Sequence, residues 1–182
     1  MKVVVVVAYE AITGAIGYKG NVFYHMKADM IHFRKITTKS LLGKENLLIM
    51  GRKTWDSLPN KPLQNRQNLV MTNRPILGIP TKQKVWDAFE YGLGHSEEID
   101  NIFVIGGEVV YRDFLESDMV DEIVATVYYS KNPVEGDILK KADTFFPLEY
   151  LTKFKMVRKD FLAEDQNFTA YVCIYKKSAK TD

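Results

Sequence analysis

The sequence has one cysteine, no block of consecutive basic residues and no long apolar run. Cys173 is the single cysteine among 182 residues, so an internal disulfide is impossible and a reducing compartment is expected. Because Cys173 lies in an alternating apolar run, we expect it to be a small buried hydrophobic residue. The formal net charge of +2 argues against an extended nucleic-acid surface, so no nucleic-acid partner is expected.

The apolar run nearest the start, residues 3–8, is only six residues long. It is too short to span a membrane, and no cleavage-type segment follows it, so we expect neither a membrane partner nor a signal peptide. A cytoplasmic protein is therefore expected. The length suits one domain over residues 1–182 with a single core. The apolar fraction of 46% and the charged fraction of 26% are ordinary for a globular chain.

One acid shares an apolar helical face. If residues 26–37 form a helix, Met26, Met30 and Phe33 fall at i, i+4 and i+7, and Asp29 lies on their side. A carboxylate in that place needs a partner, because burying an unpaired charge is costly. Two interpretations stay open at this point. Asp29 either caps the helix or pairs with a nearby lysine, or it faces a ligand in a pocket.

The chain opens with a β-branched run that precedes a glycine-rich segment. Lys2 is followed by five valines and Ala8, a pattern typical of a central strand buried on both faces. Residues 13–20 then contain three glycines. This composition predicts a mobile loop between the first strand and the Asp29 helix, and such a loop could close over a ligand.

A second apolar strand, residues 46–50, ends abruptly at Gly51, Arg52, Lys53 and Thr54. A glycine at the end of a strand allows backbone to approach a ligand closely. Basic and hydroxyl side chains at a helix start join the free N–H groups there in an anion site. The glycine spacing is wrong for a Walker loop. An ordinary turn with exposed basic residues remains an equal alternative.

Two further strands end at residues suited to a ligand. Residues 68–72 run into Asn73 and Arg74, at the carboxyl edge where open α/β sheets bind ligands. Residues 101–105 run directly into Gly106 and Gly107 before a helix, which suggests close approach of backbone to phosphate. Either pattern alone is also compatible with a plain turn.

The alternation of strands and helices predicts an α/β fold with a central, mainly parallel twisted sheet flanked by helices. A helix is expected over residues 85–91, ended by the glycines at 92–94. Strands are expected over residues 122–129, 161–163 and 168–176. Because no helix separates the last two, they predict an antiparallel C-terminal edge.

Together these motifs resemble dihydrofolate reductase across nearly the whole chain. The segments Ile49-Met50-Gly51-Arg52-Lys53-Thr54-Trp55 and Ile105-Gly106-Gly107-Glu108-Val109-Val110-Tyr111 closely resemble the two nucleotide-site motifs of that family, in their usual order. Residues that fall where the family pattern expects them are Asp29, Phe33, Arg66, Thr126 and residues 143–147. The combination is highly specific, whereas any one piece would not be.

The resemblance implies an enzyme that reduces dihydrofolate to tetrahydrofolate by hydride transfer from NADPH, in support of one-carbon metabolism. Asp29 would pair with a ring nitrogen and the amino group of the pterin, with Thr126 hydrogen-bonded behind it. Arg66 would bind the α-carboxylate of the substrate as a two-pronged donor. The other implied substrate contacts are backbone carbonyls and apolar walls, from Val7, Ala8, Met30, Phe33, Leu58 and Ile105.

The resemblance also implies a cofactor site. The glycine pair and the following helix start would meet the pyrophosphate, and a basic cluster would read the adenosine 2′-phosphate, which favours NADPH over NADH. The pyrophosphate would also meet Lys53 and Thr54, and the 2′-phosphate would meet Arg52, Thr72, Asn73 and Arg74. Other implied contacts are Ala8, Ile16, Gly51, Met71, Ile105, Gly106, Gly107, Glu108, Val109, Val110 and Tyr111. A monomer that binds antifolate inhibitors and no metal is expected.

Three departures from the family pattern affect the site. The family commonly has Pro-Trp where this chain has Phe23-Tyr24, so the phenol of Tyr24 would hold the catalytic water in place of an indole. Tyr9 replaces the small residue usual beside the nicotinamide. Residues 138–142 form an insertion near the glycine-rich segment, and contacts there stay open.

Two other functions remain possible from sequence. The related pyrimidine reductase of riboflavin synthesis shares the nucleotide-site logic but would not require both Asp29 and Arg66 in these places. A non-catalytic nucleotide-binding module would bind NADPH without oxidising it. Turnover of dihydrofolate separates both alternatives from a dihydrofolate reductase.

Overall fold

The computed structural model describes residues 1–22, 24, 26–131 and 141–178. Strands and helices alternate along most of the chain, and the last two strands follow one another directly. In chain order the elements are β1 (Val3–Glu10), β2 (Ala15–Tyr18), β3 (Asn21–Val22), α1 (Lys27–Thr38), β4 (Glu45–Gly51), α2 (Arg52–Ser57), β5 (Gln67–Met71), β6 (Thr81–Lys82), α3 (Val85–Gly94), β7 (Ile99–Val104), α4 (Glu108–Glu116), β8 (Glu122–Ser130), β9 (Thr144–Phe145), a 3₁₀ helix (Leu148–Lys153), β10 (Phe154–Glu164) and β11 (Phe168–Lys177).

The large sheet has eight strands in the order β10-β11-β8-β1-β7-β4-β5-β6. Every neighbouring pair from β8 to β6 is parallel, and β11 pairs antiparallel with both β8 and β10. The predicted α/β fold with a mainly parallel sheet and an antiparallel C-terminal edge is therefore confirmed. Strand β1 lies between β7 and β8, so the first strand is central, as its valine run predicts.

The valines of β1 reach the core on both faces of the sheet. Val5 and its alternate neighbours pack with residues of α3 and α4, whereas Val4 and Val6 pack on the side that carries Phe33 of α1 and Trp55 of α2. Successive side chains of a strand point to opposite faces, so an uninterrupted valine run suits a strand covered by helices on both sides. The sheet is the middle of three layers.

The prediction of a loop across residues 13–20 is wrong for Ala15–Tyr18. These residues form β2, which pairs with β3 and β9 in a three-stranded sheet. The glycines permit close approach of backbone there: a Cβ on Gly17 would lie 2.6 Å from the Asn21 carbonyl oxygen, and one on Gly14 would lie 2.7 Å from that of Phe146. Such a short strand was hidden because glycine weakens strand patterns in sequence.

The ends of three other elements differ from prediction. Helix α1 lies within one residue of the expected bounds, but α3 continues through Gly92 to Gly94. A Cβ on Gly92 would lie 2.6 Å from Cδ1 of Ile102, so this glycine allows the helix to approach the sheet and does not end it. Strand β10 begins at Phe154, well before residue 161, because its exposed charged residues conceal the alternation.

The structure gives the positions of Cys173 and Tyr9, two residues that the sequence analysis discussed. Cys173 is buried in β11, as expected, and burial raises its pKa. Tyr9 is 2% exposed and stacks on Phe146, with the ring centroids 5.2 Å apart, so it lies in the core on the face of β1 opposite Ala8. The side chain of Tyr9 therefore belongs to the core, and its position relative to the nicotinamide stays a prediction. Among the described residues no helix is long and apolar enough to cross a membrane.

Candidate active site

Asp29 lies in the first turn of α1 and faces the sheet. Thr126 Oγ1 donates a hydrogen bond of 2.6 Å to Asp29 Oδ1, which connects the helix to β8 next to Ala8 of β1. The N-cap of α1 is Met26, and no side chain caps it. Within the described ranges Asp29 makes no ion pair with a lysine. The geometry therefore favours the ligand-facing interpretation of this acid over the capping one.

The pKa of Asp29 is raised, chiefly because burial penalises its charge. The hydrogen bond from Thr126, the neighbouring Tyr128 hydroxyl and the field of His32 act in the opposite direction. The pKa of His32 is itself lowered, mainly by burial. A raised carboxyl pKa in a half-buried cleft is typical of a functional acid.

Apolar residues surround the carboxylate on the helix side of the sheet. Phe33 and Leu58 pack against one cluster together with Ile105. Ala8 packs against a second cluster that contains Tyr24 and Tyr128. Val7 is buried with its side chain in the opposite core, so only its backbone can face a ligand. Met30 is 58% exposed and lies at the rim.

Arg66 is held from two sides before any ligand arrives. Its Nε donates to the Gln64 carbonyl oxygen at 2.9 Å, and its Nη1 donates to Thr37 Oγ1, also at 2.9 Å. Burial, followed by the field of Arg34, lowers its pKa. Nη2 has no partner among the described residues, which leaves the outer edge of the guanidinium available to a carboxylate.

The phenol of Tyr24 is buried and already used as a donor. Its hydroxyl donates to the Ala15 carbonyl oxygen at 3.0 Å, and its ring stacks on that of Tyr128 with a centroid separation of 4.0 Å. Any water at this phenol would have to be the donor in the contact. Phe23, which with Tyr24 replaces the Pro-Trp pair common in the family, lies outside the described residues. Residues 138–140 of the insertion also lie outside them.

The two glycine motifs meet at the carboxyl ends of β4 and β7. The Gly51 N–H donates to the Gly106 carbonyl oxygen at 2.7 Å. A Cβ on Gly51 would lie 3.1 Å from Val110, and one on Gly107 would lie 3.5 Å from Thr54 Oγ1. Motifs far apart in sequence therefore form one continuous strip of glycine backbone, in which Gly51 and Gly107 are partly exposed and Gly106 is buried.

The residues that follow the glycine pair have different roles. Glu108 accepts a hydrogen bond of 2.9 Å from the Phe145 N–H, which ties the start of α4 to β9. Val109 is 69% exposed. Val110 and Tyr111 are buried, and the Tyr111 hydroxyl donates to the Val6 carbonyl oxygen at 2.8 Å. Ile16 and Met71 pack partly against the same core.

The basic cluster lies beside a cavity of about 320 Å³. Arg52 Nε donates to both carboxylate oxygens of Asp56, at 3.0 and 2.9 Å. Lys53 and Arg74 are exposed, and Thr72 Oγ1 accepts from the Arg74 N–H at 3.1 Å. The residues that line the cavity are Thr72, Asn73, Pro75, Thr81, Lys82, Gln83, Lys84 and Asp87.

Sequence reasoning missed Lys82 and Lys84. Lys82 belongs to β6, the short edge strand, and its carbonyl oxygen accepts from the Thr72 N–H at 2.8 Å. The sequence signal was the Lys-Gln-Lys triplet just before α3, which is easily mistaken for a solvated turn. With these lysines the cavity has more positive charge than the predicted residues supply.

Comparisons with known proteins point to one family. A family model described as dihydrofolate reductase matches residues 2–177. A dihydrofolate reductase of Pneumocystis carinii is 33% identical over 153 residues, which cover 76% of this chain and 70% of that protein. A solved Schistosoma mansoni dihydrofolate reductase superposes with a TM-score of 0.78 at 30% identity, covering 98% of this chain and 99% of that one.

The chain belongs to the dihydrofolate reductase family. A further relative, the dihydrofolate reductase of Candida albicans, is 31% identical over 150 residues, 76% of this chain and 73% of that protein. Membership confirms the predicted class of enzyme, an NADPH-dependent oxidoreductase that reduces dihydrofolate to tetrahydrofolate.

Proposed function

We propose that this chain binds dihydrofolate between α1 and β8 and NADPH along the strand ends that follow, and that Asp29 orients the pterin for hydride transfer. The observation that carries the proposal is the position of Asp29. Its carboxylate is fixed by Thr126 at 2.6 Å in an apolar cleft. Thr126 contacts Oδ1, which leaves Oδ2 for the pterin.

The substrate is held at its two ends. Asp29 accepts from a ring N–H and the amino group of the pterin, two contacts that a carboxylate satisfies together. Phe33, Leu58 and Met30 enclose the rings and the linker, and the outer edge of Arg66 binds the α-carboxylate. Backbone of Val7, in the middle of β1, and of Ile105, directly after β7, completes the pterin contacts.

The cofactor site fits a nicotinamide dinucleotide that carries a 2′-phosphate. The strip formed by Gly51, Gly106 and Gly107 accepts the pyrophosphate without side-chain obstruction. Four cations surround the region at the ends of β4, β5 and β6, where a dianion would be stabilised: Arg52, Arg74, Lys82 and Lys84. Bound NADPH supplies the hydride, and these residues fix where it is delivered.

An excess of positive charge in the 2′-phosphate region supports NADPH over NADH. Two acids accompany these cations: Asp56 forms an ion pair with Arg52, and Asp87 lies in the cavity wall. Charge-assisted contacts to a phosphate are about twice as strong as neutral ones. The same residues would gain little from a plain ribose hydroxyl.

The reaction is assigned to one domain over residues 1–182, acting as a monomer in the cytoplasm. The buried, unpaired Cys173 is compatible with a reducing compartment. Antifolates that present a ring N–H and an amino group in the pterin arrangement are expected to compete at Asp29.

One assay tests the proposal. The purified chain is mixed with NADPH and either dihydrofolate or a ribosylamino-pyrimidine, and the loss of NADPH absorbance is followed in the two separate reactions. Rapid loss of NADPH is expected with dihydrofolate and not with the pyrimidine. Binding of NADPH without oxidation, or turnover of the pyrimidine instead, would contradict the proposal. Asp29→Asn, which retains the shape of the site, serves as the matched variant of low activity.

A further inference from the structure

Tyr128 carries a buried hydroxyl with no hydrogen-bond partner among the described residues. The side chain is fully buried, at 0% exposure. An unpartnered hydroxyl away from water is costly, by roughly 1–3 kcal/mol. A group of this kind in a natural protein calls for a specific explanation.

The ring of Tyr128 is fixed, so the direction of its hydroxyl is fixed as well. It stacks on Tyr24 with the centroids 4.0 Å apart and meets Phe168 edge to face at 5.9 Å. Tyr24 cannot donate to this hydroxyl, because it donates to the Ala15 carbonyl oxygen at 3.0 Å. The aromatic neighbours therefore hold Tyr128 without satisfying it.

Asp29 is the candidate acceptor for this hydroxyl. Thr126 and Tyr128 are two residues apart on β8 and so point to the same side of the sheet. Thr126 already donates to Asp29 Oδ1. Tyr128 lies close enough to the carboxylate to lower the pKa of Asp29, while the carboxylate raises that of Tyr128.

We infer that Tyr128 is a positioning residue for Asp29: its hydroxyl, which has no hydrogen-bond partner among the described residues, becomes a second donor to the charged carboxylate, beside that of Thr126. The two donors hold the carboxylate plane in one orientation and favour its charged form. This inference rests on the proposed role of Asp29 in binding the pterin. It adds a group that the family motifs in this sequence do not identify.

Other groups facing Asp29 do not replace this donor. His32, on α1, is half-buried with a lowered pKa and an unpartnered Nε2, and it acts on Asp29 through its field. Tyr111, on α4, donates to the Val6 carbonyl oxygen, and burial raises its pKa. From β8, Thr126 and Tyr128 are the hydroxyl residues that act on the carboxylate.

The test replaces Tyr128 with Phe, which keeps both ring contacts and removes only the hydroxyl. The first measurement is an NMR titration of the Asp29 carboxyl carbon in the full chain without ligands. We expect the pKa of Asp29 to rise by about one unit, the usual scale for loss of a hydrogen bond to a charged group. The second is the pH profile of single-turnover hydride transfer from NADPH to dihydrofolate, whose midpoint should move in the same direction.

Tyr175→Phe is the matched control, since it removes a hydroxyl that lies 3.4 Å from the Tyr9 hydroxyl on the opposite face of the sheet. It should change neither measurement. An unchanged Asp29 pKa in Tyr128→Phe would overturn the inference. A shifted Asp29 pKa with an unchanged hydride-transfer profile would show that the contact exists but that Asp29 does not act in the reaction, which overturns the role of both residues. Thr126→Val gives an independent reading, because it removes the other donor and should raise the same pKa.

Discussion

Arg66 Nη1 lies 2.9 Å from Thr37 Oγ1, and that hydroxyl in turn donates to the Phe33 carbonyl oxygen at 2.8 Å. Thr37 is completely buried. The last turn of α1 therefore fixes the guanidinium that we assign to the α-carboxylate of the substrate. A buried hydroxyl between a helix carbonyl and an arginine is a rigid support, because neither partner can move alone.

We predict that Thr37→Val raises the KM for dihydrofolate by roughly 5–10-fold, the equivalent of one ordinary hydrogen bond. The kcat should stay near that of the parent chain, because the pterin end is untouched. Thr37→Ser keeps the hydroxyl and should restore the parent KM. Steady-state kinetics of the two variants measure this, and equal KM values for Val and Ser would show that Arg66 needs no such support.

The second prediction concerns the 2′-phosphate. Replacing Arg52 and Arg74 together with Ala should weaken NADPH binding far more than NADH binding, because each lost charge-assisted contact costs on the order of 1.5–3 kcal/mol. Titration of intrinsic fluorescence with each cofactor gives the two Kd values. Parallel losses for both cofactors would show that these arginines do not read the phosphate.

Asp56 competes with the phosphate for Arg52. Its ion pair is largely exposed, with 44% and 54% of the two side chains accessible, so its contribution to stability is only about 0.3–0.5 kcal/mol. Asp56→Asn should release Arg52 and tighten NADPH binding by about two-fold, with no change for NADH. Calorimetry measures both affinities. A weaker NADPH complex would mean that Asp56 orients Arg52 instead of competing for it.

The fourth prediction is that Asp29→Asn loses dihydrofolate turnover by on the order of 100-fold at neutral pH, because the substituted amide loses the charge and one acceptor. Part of the activity should return as the pH falls and solvent protonates more substrate. NADPH binding should be unchanged. A pH series of single-turnover rates checks this, and a variant that keeps the parent rate would show that Asp29 is only a structural acid.

The stability of the same variant should change in the opposite direction to its activity. Burial raises the pKa of Asp29 above its unfolded value, so the stability linked to this group is present at low pH and is lost as the pH rises through the folded pKa. The Asn side chain is uncharged at every pH, so the variant does not have this pH-dependent loss of stability. Its melting temperature should equal or exceed that of the parent at neutral pH, and the difference should vanish in acid.

Tyr24→Phe gives the fifth prediction. The substitution keeps the stack on Tyr128 but leaves the buried Ala15 carbonyl oxygen without its donor, so stability should fall by roughly 1–3 kcal/mol. Reduction should slow modestly if the phenol also holds a water near the pterin. Melting curves and single-turnover rates separate the two effects. An unchanged hydride-transfer rate would remove this hydroxyl from the mechanism.

Strong, local patterns were readable from the sequence. The valine run of β1 and the glycine pair after β7 were identified because each is a cluster of consecutive residues of one type. Consecutive β-branched residues indicate a buried strand, and adjacent glycines indicate accessible backbone. The sequence did not show β2 or the true end of α3, since Gly17 and Gly92 are required by contacts with distant residues. No local pattern could show that Thr37 supports Arg66.

Some site residues could likewise be identified from local sequence patterns, whereas others could not. Asp29 stood out as an acid in an apolar face, whereas Tyr128 looked like one more aromatic residue of a buried strand. Lys82 and Lys84 were missed because two lysines before a helix are normally solvated. What makes them relevant is the short edge strand β6, which places them beside Thr72.

Helix α1 also sets a length. Asp29 is in its first turn and Thr37 near its end, eight residues apart, which corresponds to about 12 Å of helix axis at 1.5 Å per residue. In the proposed binding mode, the acid that binds the pterin and the hydroxyl that supports the carboxylate-binding arginine are both attached to this helix. The length of α1 therefore contributes to the spacing between the two ends of the substrate site.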